Sequence, residues 1–266
     1  MDEIGQQIRV AEPAPAKSQV EALFDSLALE YVRERDRQFS FISQKHIVIE
    51  MLGGAQGRLL EVGCGPAVMA PDLLSLGFEV QGIDVSGEMI RRARQRMTGH
   101  LCVQRCSFSV GDVERLQFAS DHFDAVVAMG VLEYLPTYKV ALREISRVLK
   151  PGGIAVFTVP NRASAYHLAR SAYDAARALV KRLAKRSAST DGFTPNRCLP
   201  WRLDQELAQA RLHKIESRGC NFIFFPLKEL QHAASEALNR RLMPLSRSRL
   251  GVLIGSQYIV KLQKAA

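Results

Sequence analysis

Between residues 58 and 160 the chain repeats one pattern: a short apolar run, a segment with helical spacing, then another apolar run. "RLLEVG", "FEVQGID", "CSFSVGD", "FDAVVAMG" and "GGIAVFTVP" are the apolar runs, and their length predicts buried strands. "AVMAPDLLSLG", "SGEMIRRARQRM" and "PTYKVALREISRVLKPGG" carry the helical spacing. Ser86 is expected to cap the second of these helices, with Glu88 in its first turn, and Pro151-Gly152 to end the third. Strands joined through helices pair in parallel by right-handed crossovers, which requires helices on both faces of the sheet. A sheet of this kind holds its ligand at the carboxyl ends of its strands.

What those ends carry is therefore informative. The first strand delivers Glu61, Gly63, Gly65 and Pro66, and the second ends in Asp84. The third runs to Gly111-Asp112 and the fourth to Met129-Gly130. Asp84 stands where a carboxylate takes hydrogen bonds from ribose hydroxyls, a role common to NAD, flavin nucleotides and S-adenosylmethionine. The loop separates these ligands. A pyrophosphate wants helix amides and a third glycine, but Pro66 removes an N–H, Val68 replaces the glycine and Glu61 adds an acid. A cationic adenosine without phosphate fits better, which favours S-adenosylmethionine. The same residues have plainer readings: the glycines as a tight turn, Asp84 and Asp112 as cap or turn acids, and Val85 and Cys64 as packing.

At these positions the chain resembles the class I S-adenosylmethionine-dependent methyltransferases. "LLEVGCGPA", "VQGIDVSGEMIRRAR" and "VGDVERLQFASDHFDAVV" are similar to their successive motifs. "VLEYLPTYKVALREISRVLKPGGIAVFTVPN" is similar to their segment from strand four through strand five. The resemblance covers residues 55–161, more weakly the flanks, and is nearest to the ubiquinone- and menaquinone-biosynthesis group. It implies a Rossmann-like, doubly wound, mostly parallel seven-stranded sheet with helices on both faces, a helical insertion after strand five and an antiparallel last strand. It also implies cofactor contacts. Gly63 and Gly65 would meet the methionine moiety, and Glu61 its ammonium. Asp84 would hold the ribose hydroxyls with Val85 against the adenine. Asp112 and the Val113 N–H would meet the adenine edge, and Met129 and Gly130 would lie beside the sulfonium.

The acceptor is less legible. Many members of that group carry Leu-Glu-His after strand four, where this chain has Leu132-Glu133-Tyr134. The imidazole is gone, so its role is not carried over. Glu133, Tyr134 and His167 remain weak catalytic candidates, and Tyr31 is a candidate cover for the cofactor. Glu133 is equally well read as a first-turn acid, and the other three as packing or surface. Residues 162–186 hold seven basic side chains against Asp174, which supplies most of the net charge of +9. On a helical wheel Leu168, Ala169, Ala172, Tyr173, Ala176, Leu179, Val180 and Leu183 share one face, opposite Arg170, Arg177, Lys181 and Lys185. Such a helix could be a lid, a contact with an anionic membrane surface, or a helix that packs its apolar face on the domain and solvates its charges. Nucleic acid is disfavoured, since Tyr166 and Tyr173 are its only aromatics.

The expected organisation is a disordered leader (1–18) and one methyltransferase domain (19–266). Within the domain come cap helices (19–54), a cofactor-binding core (55–161), a basic helical insertion (162–200) and a C-terminal, substrate-side part (201–266). That part is expected to hold a helix at "RLDQELAQARL", the apolar run "NFIFFP", a helix near 228–240 and a closing strand "GSQYIVKLQ". The leader lacks a signal-peptide pattern, and no apolar run nears the ~20 residues a membrane span needs, so a cytoplasmic protein, or one peripheral on the cytosolic membrane face, is expected. Five cysteines without a CxxC pair and six scattered histidines predict neither a disulfide framework nor a metal site. The expected activity is methyl transfer from S-adenosylmethionine to O, N or C of a small or lipid-linked acceptor. An NAD(P)-dependent oxidoreductase and a non-catalytic scaffold that keeps a cofactor cleft are the alternatives.

Overall fold

A computed structural model of the chain describes residues 17–35, 38–183, 197–222 and 233–266. The expected leader lies outside them, except that Lys17 and Ser18 already belong to the first helix, α1 (Lys17–Arg35). A second, α2 (Phe39–Leu52), leads into the sheet.

Seven strands form one sheet: β1 (Gly57–Val62), β2 (Phe78–Asp84), β3 (Cys106–Val110), β4 (Phe123–Met129), β5 (Leu149–Pro160), β6 (Leu212–Cys220) and β7 (Gln257–Lys264), in the order β3-β2-β1-β4-β5-β7-β6. β1 through β5 pair in parallel, while β7 runs antiparallel to both β5 and β6. Strand order reverses between β1 and β4, which makes the end of β1 the switch point.

Both faces of the sheet are buried, which is why the strands read as continuous apolar runs. Leu60, Val62, Val126 and Phe157 pack on one face with Ile145 of α5 (Lys139–Val148). Leu59, Val127 and Val156 pack on the other with Ile47 and Met51 of α2. Each such side chain contributes about 1.5–3 kcal/mol by leaving water. Ser86 caps α4 (Gly87–Met97) as expected, its Oγ accepting from the Met89 N–H at 3.0 Å, and Glu88 in the first turn pairs with Arg91 and Arg92.

Two expectations change, one strand is new and one run is only partly described. The helix after β1 is only α3 (Ala70–Ser75), because Ala67 adopts φ +57° and the chain turns there before Pro71 enters the first helical turn. α5 stops at Val148, ahead of Pro151-Gly152: Leu149 is fully buried opposite Phe123, and Lys150 pairs with Asp124 at 2.5 Å, so this stretch is already strand. The sixth strand is "LHKIESRGC", the edge of the sheet, where polar residues leave little apolar signal. Of "NFIFFP", Asn221 and Phe222 follow that strand and the remainder lies outside the described residues.

The insertion carries α6 (Ala165–Leu183), and the described part of its apolar face is largely exposed. Leu168 and Tyr173 of its apolar face are 59% and 44% exposed, and Ala172 and Ala176 are exposed too. The side chains from Arg177 to Leu183 lie outside the described residues. Beyond come α7 (Pro200–Gln209), α8 (Ala233–Leu242) and α9 (Arg249–Ile254) before β7 closes the sheet.

Candidate active site

A cleft of about 90 Å³ opens at the switch point. Gly63 and Gly65 form its floor with φ of +65° and +51°, in the left-handed region that favours glycine. A Cβ on Gly63 would stand 2.2 Å from Val131 Cγ2, so another residue there requires Val131 to shift. Asp84 ties the loop to the end of β2: its Oδ2 accepts the Gly65 N–H at 2.9 Å and its Oδ1 the Ser86 N–H at 3.0 Å. The Val85 N–H is a third backbone donor, so one of the four lone pairs of the carboxylate remains for a further donor. Burial raises the Asp84 pKa, and these backbone bonds oppose the rise.

Val85, Val113, Met129, Gly130, Tyr31 and Tyr134 line the same cleft, as does Asp112. The Asp112 carboxylate accepts the Glu114 N–H at 2.9 Å through Oδ1, and its Oδ2 takes Lys17 Nζ at 2.5 Å. Gly130 is pinned by its N–H to Thr158 Oγ1 at 3.0 Å. Val20 and Phe24 of α1 complete the roof, with Phe24 edge-on to Tyr134 at 5.0 Å and to Tyr31 at 6.2 Å.

Glu61 is placed differently from the other two acids. It is 4% exposed and is not part of the cleft lining; its Oε2 is buried without a hydrogen-bond partner. Burial, then the charges of Asp84 and Asp72, push its carboxyl up to about 8. A buried acceptor with nothing to accept from is costly, and a cation with N–H donors would relieve that cost. With the lone pair left on Asp84, this donor-seeking set fits the ammonium and hydroxyls of S-adenosylmethionine. The loop, by contrast, has Pro66 where a pyrophosphate would need an amide and Val68 where it would need a glycine.

Tyr31, Met129 and Gly130 also form one wall of a second cavity of about 230 Å³. Ser40 and Gln44 of α2, Glu133, Tyr166, His167, Asn221, Ser256 and Gln257 supply most of the rest. The His167 ring nitrogens are buried and make no well-formed hydrogen bond. Burial and the Arg197 charge push the imidazole down to about 4, partly offset by the Ser256 backbone, so it is neutral at pH 7. Asn221, 2% exposed, donates through Nδ2 to the Ser40 carbonyl at 3.1 Å, which fixes the amide and leaves Oδ1 without a partner.

The structure thus gathers Gly63, Gly65, Asp84, Val85, Asp112, Val113, Met129, Gly130, Tyr31 and Tyr134 around one cleft. Glu133 and His167 stand in the next cavity, and Glu61 is buried apart from both linings. Sequence reasoning missed Lys17, Val20 and Phe24, although Val20 and Phe24 sit at the four-residue spacing of a helix face. It also missed Gln44 and Asn221, which no local signal marks.

A switch-point cleft of this build, on a sheet with a reversed seventh strand, is that of the class I S-adenosylmethionine-dependent methyltransferase fold. Residues 60–157 match the family model described as "Methyltransferase domain". Over 116 residues the chain is 34% identical to a ubiquinone biosynthesis O-methyltransferase of Alkalilimnicola ehrlichii, covering 43% of this chain and 47% of that one. It is 31% identical over 150 residues to a demethylmenaquinone methyltransferase of Staphylococcus haemolyticus, covering 53% and 60%. The chain spans about half the length of the curated relatives it matches. Among solved structures it resembles the magnesium protoporphyrin IX methyltransferase of Synechocystis with bound S-adenosylhomocysteine (TM-score 0.63, 13% identity, 94% of this chain and 100% of that one). It also resembles the cyclase SpnF (TM-score 0.66, 22% identity, 95% and 97%). These structures establish the fold; the second shows that the fold also hosts chemistry named otherwise.

Proposed function

We propose that this protein is an S-adenosylmethionine-dependent methyltransferase that acts on a small or lipid-linked acceptor held in the second cavity. The observation that carries the reading is the wall common to both cavities. Tyr31, Met129 and Gly130 border the cofactor cleft on one side and an independent polar chamber on the other. The bound cofactor would supply an activated methyl group on a sulfonium. The chain's task is then placement and exclusion of water, which supply much of the acceleration in such a transfer.

Gly63, Gly65 and Asp84 would fix the cofactor's two ends, and Glu61, set behind the lining, would orient its ammonium partly through water. The roof of Phe24, Tyr31 and Tyr134 would shield the junction between the chambers. The match to a methyltransferase domain and the missing third glycine support this reading over the oxidoreductase and scaffold alternatives. Isothermal calorimetry with S-adenosylhomocysteine tests it: micromolar or tighter binding is expected, and absence of binding would sink it. Incubation of a metabolite extract with methyl-labelled cofactor then finds the acceptor.

A contact with the membrane surface extends the proposal. Among the described residues no helix is long and apolar enough to cross a bilayer. Leu168 and Tyr173 nevertheless face outward on the stretch 162–186, which carries seven basic residues. Apolar anchors beside cations suit an anionic leaflet, each Lys or Arg near it adding about 1 kcal/mol. Co-sedimentation with phosphatidylserine vesicles is expected, and its loss on replacing Arg177, Lys181 and Lys185 by Glu. No sedimentation of the unmodified protein would leave a solvated helix.

A further inference from the structure

Among the described residues, two side chains of the second cavity hold buried acceptors with no donor to fill them, Asn221 and His167. Asn221 Oδ1 is buried without a partner, and its amide cannot flip to offer Nδ2 because that nitrogen is spent on the Ser40 carbonyl at 3.1 Å. The His167 imidazole is neutral at pH 7, so one of its two buried nitrogens is a bare acceptor. The Glu133 carboxyl, 8% exposed, is on the same wall. The Gln44 amide nitrogen is turned away, donating to the Ser40 carbonyl at 3.2 Å. Among the described residues no lysine or arginine lines the cavity; Arg197, whose charge acts on His167, stands outside the lining.

We propose that this cavity selects an acceptor by its hydroxyl or amino hydrogens, with Asn221 Oδ1 and His167 as the groups that receive them, and that it rejects anionic acceptors. The inference rests on the methyltransferase reading and gives the acceptor a chemical class: an uncharged, hydrogen-bond-donating one, methylated at O or N. A carboxylate or phosphate would set its lone pairs against Asn221 Oδ1 and the bare His167 nitrogen. An apolar carbon acceptor would leave Asn221 Oδ1 buried and unmatched, which a site built on polar groups penalises strongly. The product follows the same logic. Transfer would break the sulfur–methyl bond, form the oxygen–methyl bond, leave S-adenosylhomocysteine and send the hydroxyl proton to solvent. The methylated oxygen has no hydrogen left to give, so the cavity holds the acceptor more tightly than the product and favours release.

The test uses the full chain saturated with S-adenosylhomocysteine, so that no reaction occurs, and three probes of similar size: phenol, its methyl ether anisole, and benzoate. Ligand-observed NMR titration is expected to give phenol at least about 10-fold tighter than anisole or benzoate, the loss typical of a donor removed from a buried polar site. His167→Phe keeps a flat ring without nitrogens and lies outside the cofactor cleft. It should leave S-adenosylhomocysteine binding intact and shrink the phenol preference to within about threefold. Equal binding of phenol and anisole, a preference for benzoate, no binding of phenol, or a preference that survives His167→Phe would each overturn the inference while S-adenosylhomocysteine still binds. Failure of S-adenosylhomocysteine itself to bind would remove the methyltransferase reading and this inference with it. The wild-type comparison decides the class even if the variant does not fold.

Discussion

The cofactor cleft draws its polar groups from the ends of adjacent parallel strands. The second cavity draws them from α2, the turn after β4, the start of α6 and the segment after β6. In the cleft, geometry is carried by backbone: two left-handed glycines, three amides on Asp84, and one amide on Thr158. In the second cavity it is carried by side chains brought together from positions as distant as Ser40 and Gln257. Backbone sites tolerate little change, because a turn with φ above zero admits few residues. Side-chain sites can be rewritten one residue at a time. One fold can in this way keep a donor site constant while its acceptor sites diverge.

The largest effect should come from breaking the backbone side of that contrast. Gly63→Ala places a Cβ 2.2 Å from Val131 Cγ2 at φ +65°. Strain and overlap together should cost about 2–4 kcal/mol of stability, read by thermal unfolding, and weaken S-adenosylhomocysteine binding at least about 100-fold. Gly63→Ala with Val131→Ala should regain part of the stability but not the affinity, because φ remains strained. Full recovery of affinity would mean the turn does not shape the cleft.

Next in size is Glu61→Gln, which should act with opposite signs on stability and binding. The folded carboxyl keeps its proton up to about pH 8, whereas in the unfolded chain it ionises near the ordinary 4.5. Between those values the folded state holds one proton more. Stability therefore falls as pH rises across the window, by about 1.4 kcal/mol per unit at most, and levels off above it. Gln cannot ionise, so the variant should gain on the wild type from pH 4.5 to 8 in melts without cofactor, while binding S-adenosylhomocysteine about 10-fold or more weakly. Calorimetry of the wild type at pH 7 in buffers of different ionisation enthalpy should also show up to about one proton released, as the bound ammonium draws Glu61 into its charged form. A parallel fall in stability and affinity at every pH would make Glu61 a packing residue only.

How legible each region was follows from the same contrast. Strand ends are local in sequence, so Gly63, Gly65, Asp84 and Asp112 announced the cleft through spacing and turn chemistry alone. Glu61 was read as an acid of the ligand wall, but β1 turns its side chain to the face of Leu59, behind the lining; alternation along the strand was the available signal. The strand Leu212–Cys220 stayed hidden because an edge strand needs no continuous apolar run, and its Arg218 is buried by pairing with Glu50 and Glu216 at 2.6 Å instead. Val148 and Leu149 gave no cue that a helix passes directly into a strand. Asn221 became a site residue only through packing beside Ser40, a contact 181 positions apart that no window of sequence contains.

A milder change should disturb the acceptor side and leave the cofactor side alone. Asn161, fully buried just after β5, shares the two hydrogens of its Nδ2 among the carbonyls of Val252, Leu253 and Gly255 at 2.9, 3.2 and 2.9 Å, and so ties α9 to the sheet. Asn161→Ala strands those carbonyls and should cost about 1–3 kcal/mol. Affinity for S-adenosylhomocysteine should stay within about threefold, while phenol binding in the second cavity weakens because Ser256 and Gln257 follow that junction. Equal losses at both sites would show that the two cavities are mechanically one.

The smallest effect concerns the place where the contrast blurs. Lys17 reaches from α1 to the strand-end acid Asp112 at 2.5 Å and to Glu114 at 2.6 Å, so a side chain occupies the carboxylate that the resemblance gives to the adenine amino group. Half-exposed pairs of this kind are worth about 0–1 kcal/mol, and α1 has other holds: Ser86 Oγ on Asp25 at 2.5 Å and the Phe24–Tyr134 contact. Lys17→Ala should therefore leave the roof in place, free Asp112 and tighten S-adenosylhomocysteine binding by about two- to threefold at low salt. The gain should vanish near 1 M salt, where screening already loosens the wild-type pair. Weaker binding at both salt concentrations would instead make Lys17 a latch that the roof requires, and the cleft would then depend on a distant side chain just as its neighbour does.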